Sequence, residues 1–186
     1  MAVEIIKRRF TIADYERMGE TGILSEDERV ELIEGELLVM SPIGLPHLAC
    51  VDRITRVLVL ALEEQAIVRV QGSVVLDSYD APHPDVALLR PKADFYLSGH
   101  AGPPDILLLI EVADSSLDYD REVKAPLYAS KGVVEYWLVD VKGDAITCYT
   151  DPSGGRYQTV TRHHRGESIA PKLLPDCLIA LDSILP

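Results

Sequence analysis

Two acids and a lysine are spaced so that they could carry chemistry together. Asp85 directly follows Pro84 at the mouth of a short apolar stretch, Asp85-Val-Ala-Leu-Leu. Glu111 interrupts the end of a longer apolar run from Pro104 to Ala113. A carboxylate in such a run must shift its pKa, reach water, find a cation or hold a metal. Two carboxylates at the ends of adjacent core strands can share a hard divalent cation, with water or a substrate oxygen in the remaining positions. Lys124 follows on the next helical stretch. It could orient and help deprotonate a water, or stabilise charge on a phosphate in the transition state. The chemistry this pattern allows is metal-assisted phosphodiester hydrolysis. A plainer reading stands beside it: Pro84-Asp85 starts a strand, Glu111 marks where a strand emerges into solvent, and Lys124 pairs with Asp120 on an exposed helix face, worth only about 0.3–0.5 kcal/mol.

Glu31 is a further candidate, either as an extra carboxylate for the cluster or as a solvent-facing hairpin residue beside Glu34 and Glu36. His47 begins a helix and either faces the cleft or caps locally. His83, just ahead of Pro84-Asp85, is placed to line an entrance. Tyr128 lies one turn beyond Lys124, where it can hydrogen-bond into the site or pack in the core. Asp114, Ser115 and Ser116 read as loop formers after the strand, and Tyr136-Trp137 as core or interface. Compact basic clusters occur at Lys7-Arg-Arg and Arg162-His-His-Arg, with Arg53 and Arg56 a third. Each is either a phosphate contact or solvated surface.

The elements that must position these residues follow from periodicity and turn chemistry. Thr11 is placed to cap a short helix with Ile12, Tyr15 and Met18 on one face, ended by Gly19 and Gly22. Residues 29–42 hold two short strands around Glu34-Gly35, a tight hairpin closed by Ser41-Pro42. From Pro46 to Gln65 an amphipathic helix is marked by Leu48, Val51, Ile54, Val57, Leu58, Ala61 and Leu62. Ile67 to Leu76 alternates like a strand. Asp85 to Leu89 is a second strand, and residues 90–103 form a loop with room for a helical turn at Asp94–Leu97. The apolar run to Ala113, interrupted near its end by Glu111, predicts a strand covered on both faces, near the middle of a sheet. A helix over roughly 119–131 contains Pro126, which should kink it or mark a late start, and Gly132 is its stop. Val133 to Asp140 is a strand. Ala145–Thr150 and Arg156–Thr161 form a hairpin across Asp151-Pro-Ser-Gly-Gly, and the tail from Leu173 packs as a closing segment. No repeat or linker interrupts the order, so residues 1–186 read as one α/β domain with a mixed central sheet flanked by helices, carrying an N-terminal helix and hairpin.

Composition narrows the partners. The 18 Lys+Arg against 30 Asp+Glu give a net charge of −12, an unfavourable overall field for nucleic acid or an anionic membrane. The cysteines Cys50, Cys148 and Cys177 are odd in number and widely separated, against both a disulfide framework and a zinc ribbon. Buried thiols in a reducing compartment are expected. The first ten residues show no signal-peptide core, and no apolar run reaches membrane-spanning length, so a cytoplasmic location is the default.

The order Glu31, Pro84-Asp85, Glu111-Val-Ala, Lys124 resembles the PD-(D/E)XK nuclease superfamily. More closely, the chain resembles the bacterial Uma-two family of restriction-endonuclease-like proteins. Three stretches carry the likeness: Val30-Glu-Leu-Ile-Glu-Gly-Glu-Leu with Met40-Ser-Pro and His47; Pro84-Asp-Val-Ala-Leu-Leu-Arg-Pro; and Leu109-Ile-Glu-Val-Ala-Asp-Ser-Ser through Tyr128, Gly132 and Glu135-Tyr-Trp-Leu-Val-Asp. They span most of the chain. The resemblance implies a restriction-endonuclease-like core and a DNA endonuclease, acting on duplex DNA as a homodimer. It implies Asp85, Glu111 and Val112 as metal ligands, Mg2+ or Mn2+ as the ion, and Asp85, Glu111, Lys124 and Glu31 as catalytic residues. One departure matters. Where the superfamily places lysine two residues after the acid, this chain has Ala113, and Lys124 on the following helix is the substitute. Two other functions remain open on these residues: a catalytically silent nuclease-fold subunit that binds a partner, and a metal-dependent phosphodiesterase acting on RNA.

Overall fold

The computed structural model describes residues 7–25, 27–40 and 42–186. Helix α1 (Ile12–Glu20) opens it. Thr11 and Asp14 form a reciprocal capping box that satisfies donors at its first turn. Strands β1 (Val30–Ile33) and β2 (Glu36–Val39) form a hairpin. Its turn has Glu34 at φ +52° and Gly35 at φ +77°, both left-handed, as a two-residue hairpin turn with strand-compatible twist requires. Ser41, expected to close this hairpin, lies outside the described residues. Helix α2 (Leu45–Leu62) follows, then β3 (Ile67–Val70) and β4 (Val86–Leu89). Next come the wholly buried β5 (Ile106–Ala113), α3 (Leu117–Tyr119), a π-helical turn (Asp120–Lys124) and α4 (Ala125–Ser130). Strands β6 (Glu135–Asp140), β7 (Ala145–Ser153) and β8 (Arg156–His164) and the short β9 (Ser168–Ile169) and β10 (Ile179–Ala180) complete the chain.

The central sheet has six strands in the order β3-β4-β5-β6-β7-β8. It is mixed: β5 and β6 are parallel, and every other neighbouring pair is antiparallel. Parallel neighbours need a crossover, and the helical path α3–α4 supplies it. Each face of the sheet is covered. Val51, Ile54, Leu58 and Leu62 of α2 pack with Val86, Leu88, Leu108 and Ile110, joined by Ile179, Leu181 and Leu185 of the tail. On the other face Ala125, Leu127 and Tyr128 of α4 pack with Ala87, Leu89, Leu109, Tyr136 and Leu138. Being covered on both sides is why β5 is apolar at every position except Glu111.

Several local expectations are corrected. The strand starting at Ile67 ends at Val70, because Gln71 turns the chain at φ +48°. Val74 and Leu76 then bond to Pro82 and Asp80 within a loop rather than to a neighbouring strand. Leu48 and Ala61 lie on the exposed side of α2, and Cys50 takes a place in its buried stripe. Asp94–Leu97 is no helical turn, since Phe95 and Tyr96 both have left-handed backbone. The β7–β8 hairpin is longer than its apolar residues suggest and turns at Gly154-Gly155. Pro126 marks a late start: the α-helical stretch α4 begins at Ala125, with Pro126 in its first turn. The chain widens into the π turn just before it, where the Ala125 N–H bonds to the Asp120 carbonyl. The wider turn moves the carbonyl that the proline ring would otherwise strike, and the missing proline donor costs no α-helical bond. Cys50, Cys148 and Cys177 are free and buried.

Candidate active site

Register brings the two strand acids together. Val86 pairs with Ile110 across the β4–β5 ladder, so Asp85 and Glu111 stand side by side where β4 begins. The Val112 N–H donates to Asp85 Oδ2 at 2.9 Å, fixing the carboxylate against the next strand. His47, at the start of α2, places Nε2 2.9 Å from the same oxygen. Its role, open in the sequence, is therefore contact with Asp85 and not a helix cap. Its buried Nδ1 has no partner among the described residues.

Lys124 is only 3% exposed. Its ammonium lies 2.9 Å from Glu111 Oε1 and 3.2 Å from Glu31 Oε2. The surface pairing with Asp120 is thus excluded, and the π turn aims the side chain inward from the crossover. Tyr128, one turn on and fully buried, donates its hydroxyl to Glu111 Oε1 at 2.7 Å. It packs in the core and bonds into the site at once.

Glu31 is buried rather than solvent-facing. Residue Leu32 forms a bridge with Ala81, which docks the hairpin beside the segment leading into β4. Glu31 then accepts the His83 main-chain N–H at 3.3 Å and the Tyr119 hydroxyl at 3.5 Å. The His83 ring faces Tyr15 at 3.4 Å, half-buried at the edge of the group. Asp120 and Tyr119 are the members that residue spacing did not single out. Asp120 is buried and takes a hydrogen bond from Ser116. Their signal is helical: they precede Lys124 by about one turn, on its side of the crossover.

Glu31, His47, Asp85, Glu111, Tyr119, Asp120 and Lys124 line a cleft of about 500 Å3, and Tyr128 and His83 lie outside its lining. Four carboxylates (Glu31, Asp85, Glu111 and Asp120) are buried there around one lysine. Burial pushes the Glu111 carboxyl up to about 8; Lys124 opposes the shift, while Asp120, Asp85 and Glu31 add to it. Burial also raises Asp120, again against Lys124. For Lys124 burial disfavours the charge, but Glu111, Glu31 and Asp120 outweigh it and hold the group above the ordinary lysine value. Burial, reinforced by Glu111, keeps Tyr128 a neutral phenol and so a donor.

The arrangement leaves ligating atoms open. Positioning bonds converge on Asp85 Oδ2 and Glu111 Oε1, whereas Asp85 Oδ1 and Glu111 Oε2 take none among the described residues. A strand residue presents its carbonyl on the same edge as its N–H, so the Val112 carbonyl lies on the Asp85 side. Excess buried negative charge with open carboxylate oxygens suits a hard cation. Among the described residues no three His, Cys, Asp or Glu side chains are gathered closely enough to hold an ion by themselves. An ion here would therefore rest on two carboxylates, a main-chain oxygen and water.

A mixed sheet with acids at adjoining strand ends and a lysine on the crossover belongs to the nuclease-like α/β class. A crystal structure described as "a putative nuclease belonging to DUF820", from Anabaena variabilis ATCC 29413, shares the fold with a TM-score of 0.74. The two are 14% identical, over 95% of this chain and 97% of that one. The family model Uma2, described as "Putative restriction endonuclease", matches residues 12–182, and the chain belongs to that family. A search of curated proteins returned no match. No helix of the described residues is long and apolar enough to cross a membrane.

Proposed function

We propose that residues 1–186 form one nuclease domain that hydrolyses phosphodiester bonds of DNA with the help of Mg2+. The observation that carries this reading is the buried contact of Lys124 with Glu111 beside Asp85, at 2.9 Å. It joins the strand acids and the helix lysine in one cleft, in spite of Ala113. Asp85, Glu111 and the Val112 carbonyl would hold the ion, and Mn2+ could replace it. A bound Mg2+ would lower the pKa of a water and offset charge on the phosphate. Lys124 acts as a fixed cation. With its pKa raised, it is a poor proton acceptor, and its service is to stabilise negative charge on the scissile phosphate. Glu31 holds that ammonium in place from the side away from β5. Tyr128, His47 and the Val112 N–H orient the two ligand carboxylates. Asp120 adds to the negative field.

Calorimetric titration with Mg2+ and Mn2+ tests the metal site, comparing the wild type with Asp85→Ala. The expected outcome is a binding heat that the variant loses. Identical heats for both would refute the site and favour a silent nuclease-fold subunit. Cleavage of DNA and RNA substrates, with Glu111→Gln as the inactive control, then identifies the polymer.

A further inference from the structure

The cleft has a second wall that the hydrolytic groups do not use. The lining also includes Leu37, Leu38, Val39, Met40, Pro42 and Ile43, from β2 and the segment leading into α2. Val39 is 78% exposed, an apolar side chain held open to solvent at the mouth of a charged site. Phosphate cannot use such a surface, because it would lose water without gaining a partner. The apolar surface of a nucleic acid is the face of its bases, and in a duplex that face is stacked away. A base that reaches the wall must be unpaired or turned out of its stack.

The rest of the molecule points the same way. Tracking a duplex needs rows of cations on phosphates. Here several members of the basic clusters are engaged with acids or main-chain carbonyls: Lys7 with Glu36, Arg162 with Asp140, His163 with Glu167, Arg165 with Asp144, Arg9 with the Glu34 carbonyl and Arg53 with the Leu185 carbonyl. Within the cleft the ion pairs are His47–Asp85, Lys124–Glu31 and Lys124–Glu111. None involves Arg29, which also lines the cleft, among the described residues. Two cations and an apolar wall make a site for one nucleotide, not for a double helix.

We infer that Val39, Met40, Pro42 and Ile43 form a base-binding lip, so that the preferred substrate is a single-stranded or locally unpaired nucleic acid. The base lies on the lip while its phosphate meets Lys124 and Arg29. The inference rests on the nuclease reading and replaces intact duplex as the expected partner.

Fluorescence anisotropy with the full chain tests it, with Ca2+ in place of Mg2+ to suppress cleavage. Three labelled probes are compared: a single strand, the same strand with central abasic sites, and the matched duplex. The intact single strand should bind about tenfold tighter than either of the others, as burial of about 50 Å2 of base face against aliphatic side chains would give. The double variant Val39→Ser/Ile43→Ser should lose that margin and leave the abasic affinity unchanged, with thermal melting as the check on its fold. Equal affinity for intact and abasic strands overturns the lip, whatever the variant does. So does a variant that weakens all three probes alike. If sedimentation shows that the variant turns a dimer into a monomer while single-strand preference persists, the wall is a contact between copies and the proposal fails. Cleavage of the duplex in Mg2+ without preference for single strands would overturn the lip alone. No binding and no cleavage of any probe would overturn the nuclease reading with it.

Discussion

Glu111 receives two donors, Lys124 and Tyr128, on one oxygen and is nearly inaccessible to water. Its carboxyl is raised from 4.5 to about 8 by burial, only partly offset by Lys124. A folded-state pKa above the unfolded one means that the native protein holds the proton more tightly. The stability this group contributes is complete below about pH 4.5 and is lost as pH rises through about 8. The metal-free protein should therefore melt at progressively lower temperature across that window. Glu111→Gln removes the titration yet keeps an acceptor for Lys124 and Tyr128, so its melting temperature should depend less on pH. Thermal melts in EDTA between about pH 5 and about pH 9 make the comparison. An equally steep dependence in the variant would assign the effect to other buried carboxyls, such as Asp120 and Glu135, both also raised by burial.

At the scale of elements, the parts of the site differ in how plainly the sequence displays them. Glu111 is legible because one charge in an apolar strand has no local explanation, and Asp85 because a proline and an acid open a short core strand. Lys124 is legible by default, since Ala113 cannot do its work. Glu31 is a candidate in the sequence, but its burial is not legible there, because it depends on the Leu32–Ala81 bridge between segments far apart in the chain. The contact of His47 with Asp85 joins α2 to β4 and is equally silent in local pattern. The apolar wall hides because exposed and buried valines look alike in a strand four residues long. The crossover helix gives the clearest element-level test. Its π turn places Lys124 inward and is matched to Pro126, which cannot continue an ordinary α-helical bond. Pro126→Ala restores that donor and allows the turn to tighten, rotating Lys124 away from Glu111. Helix content and melting temperature should hold or rise, because alanine is the better helix residue. Cleavage should nevertheless fall roughly a hundredfold, the scale associated with a misplacement of about 1 Å. Circular dichroism and a turnover assay on the same preparation decide it, and full activity would detach the π turn from catalysis.

For the whole molecule the controlling quantity is the net charge of −12. A protein so acidic repels a polyanion at long range, and it is repelled least where contact is made through stacked bases and a few buried cations. This separates the site from a surface that tracks phosphates, and salt distinguishes them. Each phosphate neutralised on a single strand contributes about −0.7 to the slope of log K against log salt. With contacts limited to Arg29 and Lys124, the slope should be about −1.4 at fixed Ca2+. Anisotropy titrations of the single-stranded probe between about 50 and about 200 mM KCl measure it. Arg29→Ala should make the slope shallower by about 0.7, because it removes one phosphate contact and leaves the lip intact. A slope several times steeper would place the strand across the Lys7–Arg9 or Arg162–Arg165 clusters. Their ion pairs with Glu36, Asp140 and Asp144 would then have to open on binding.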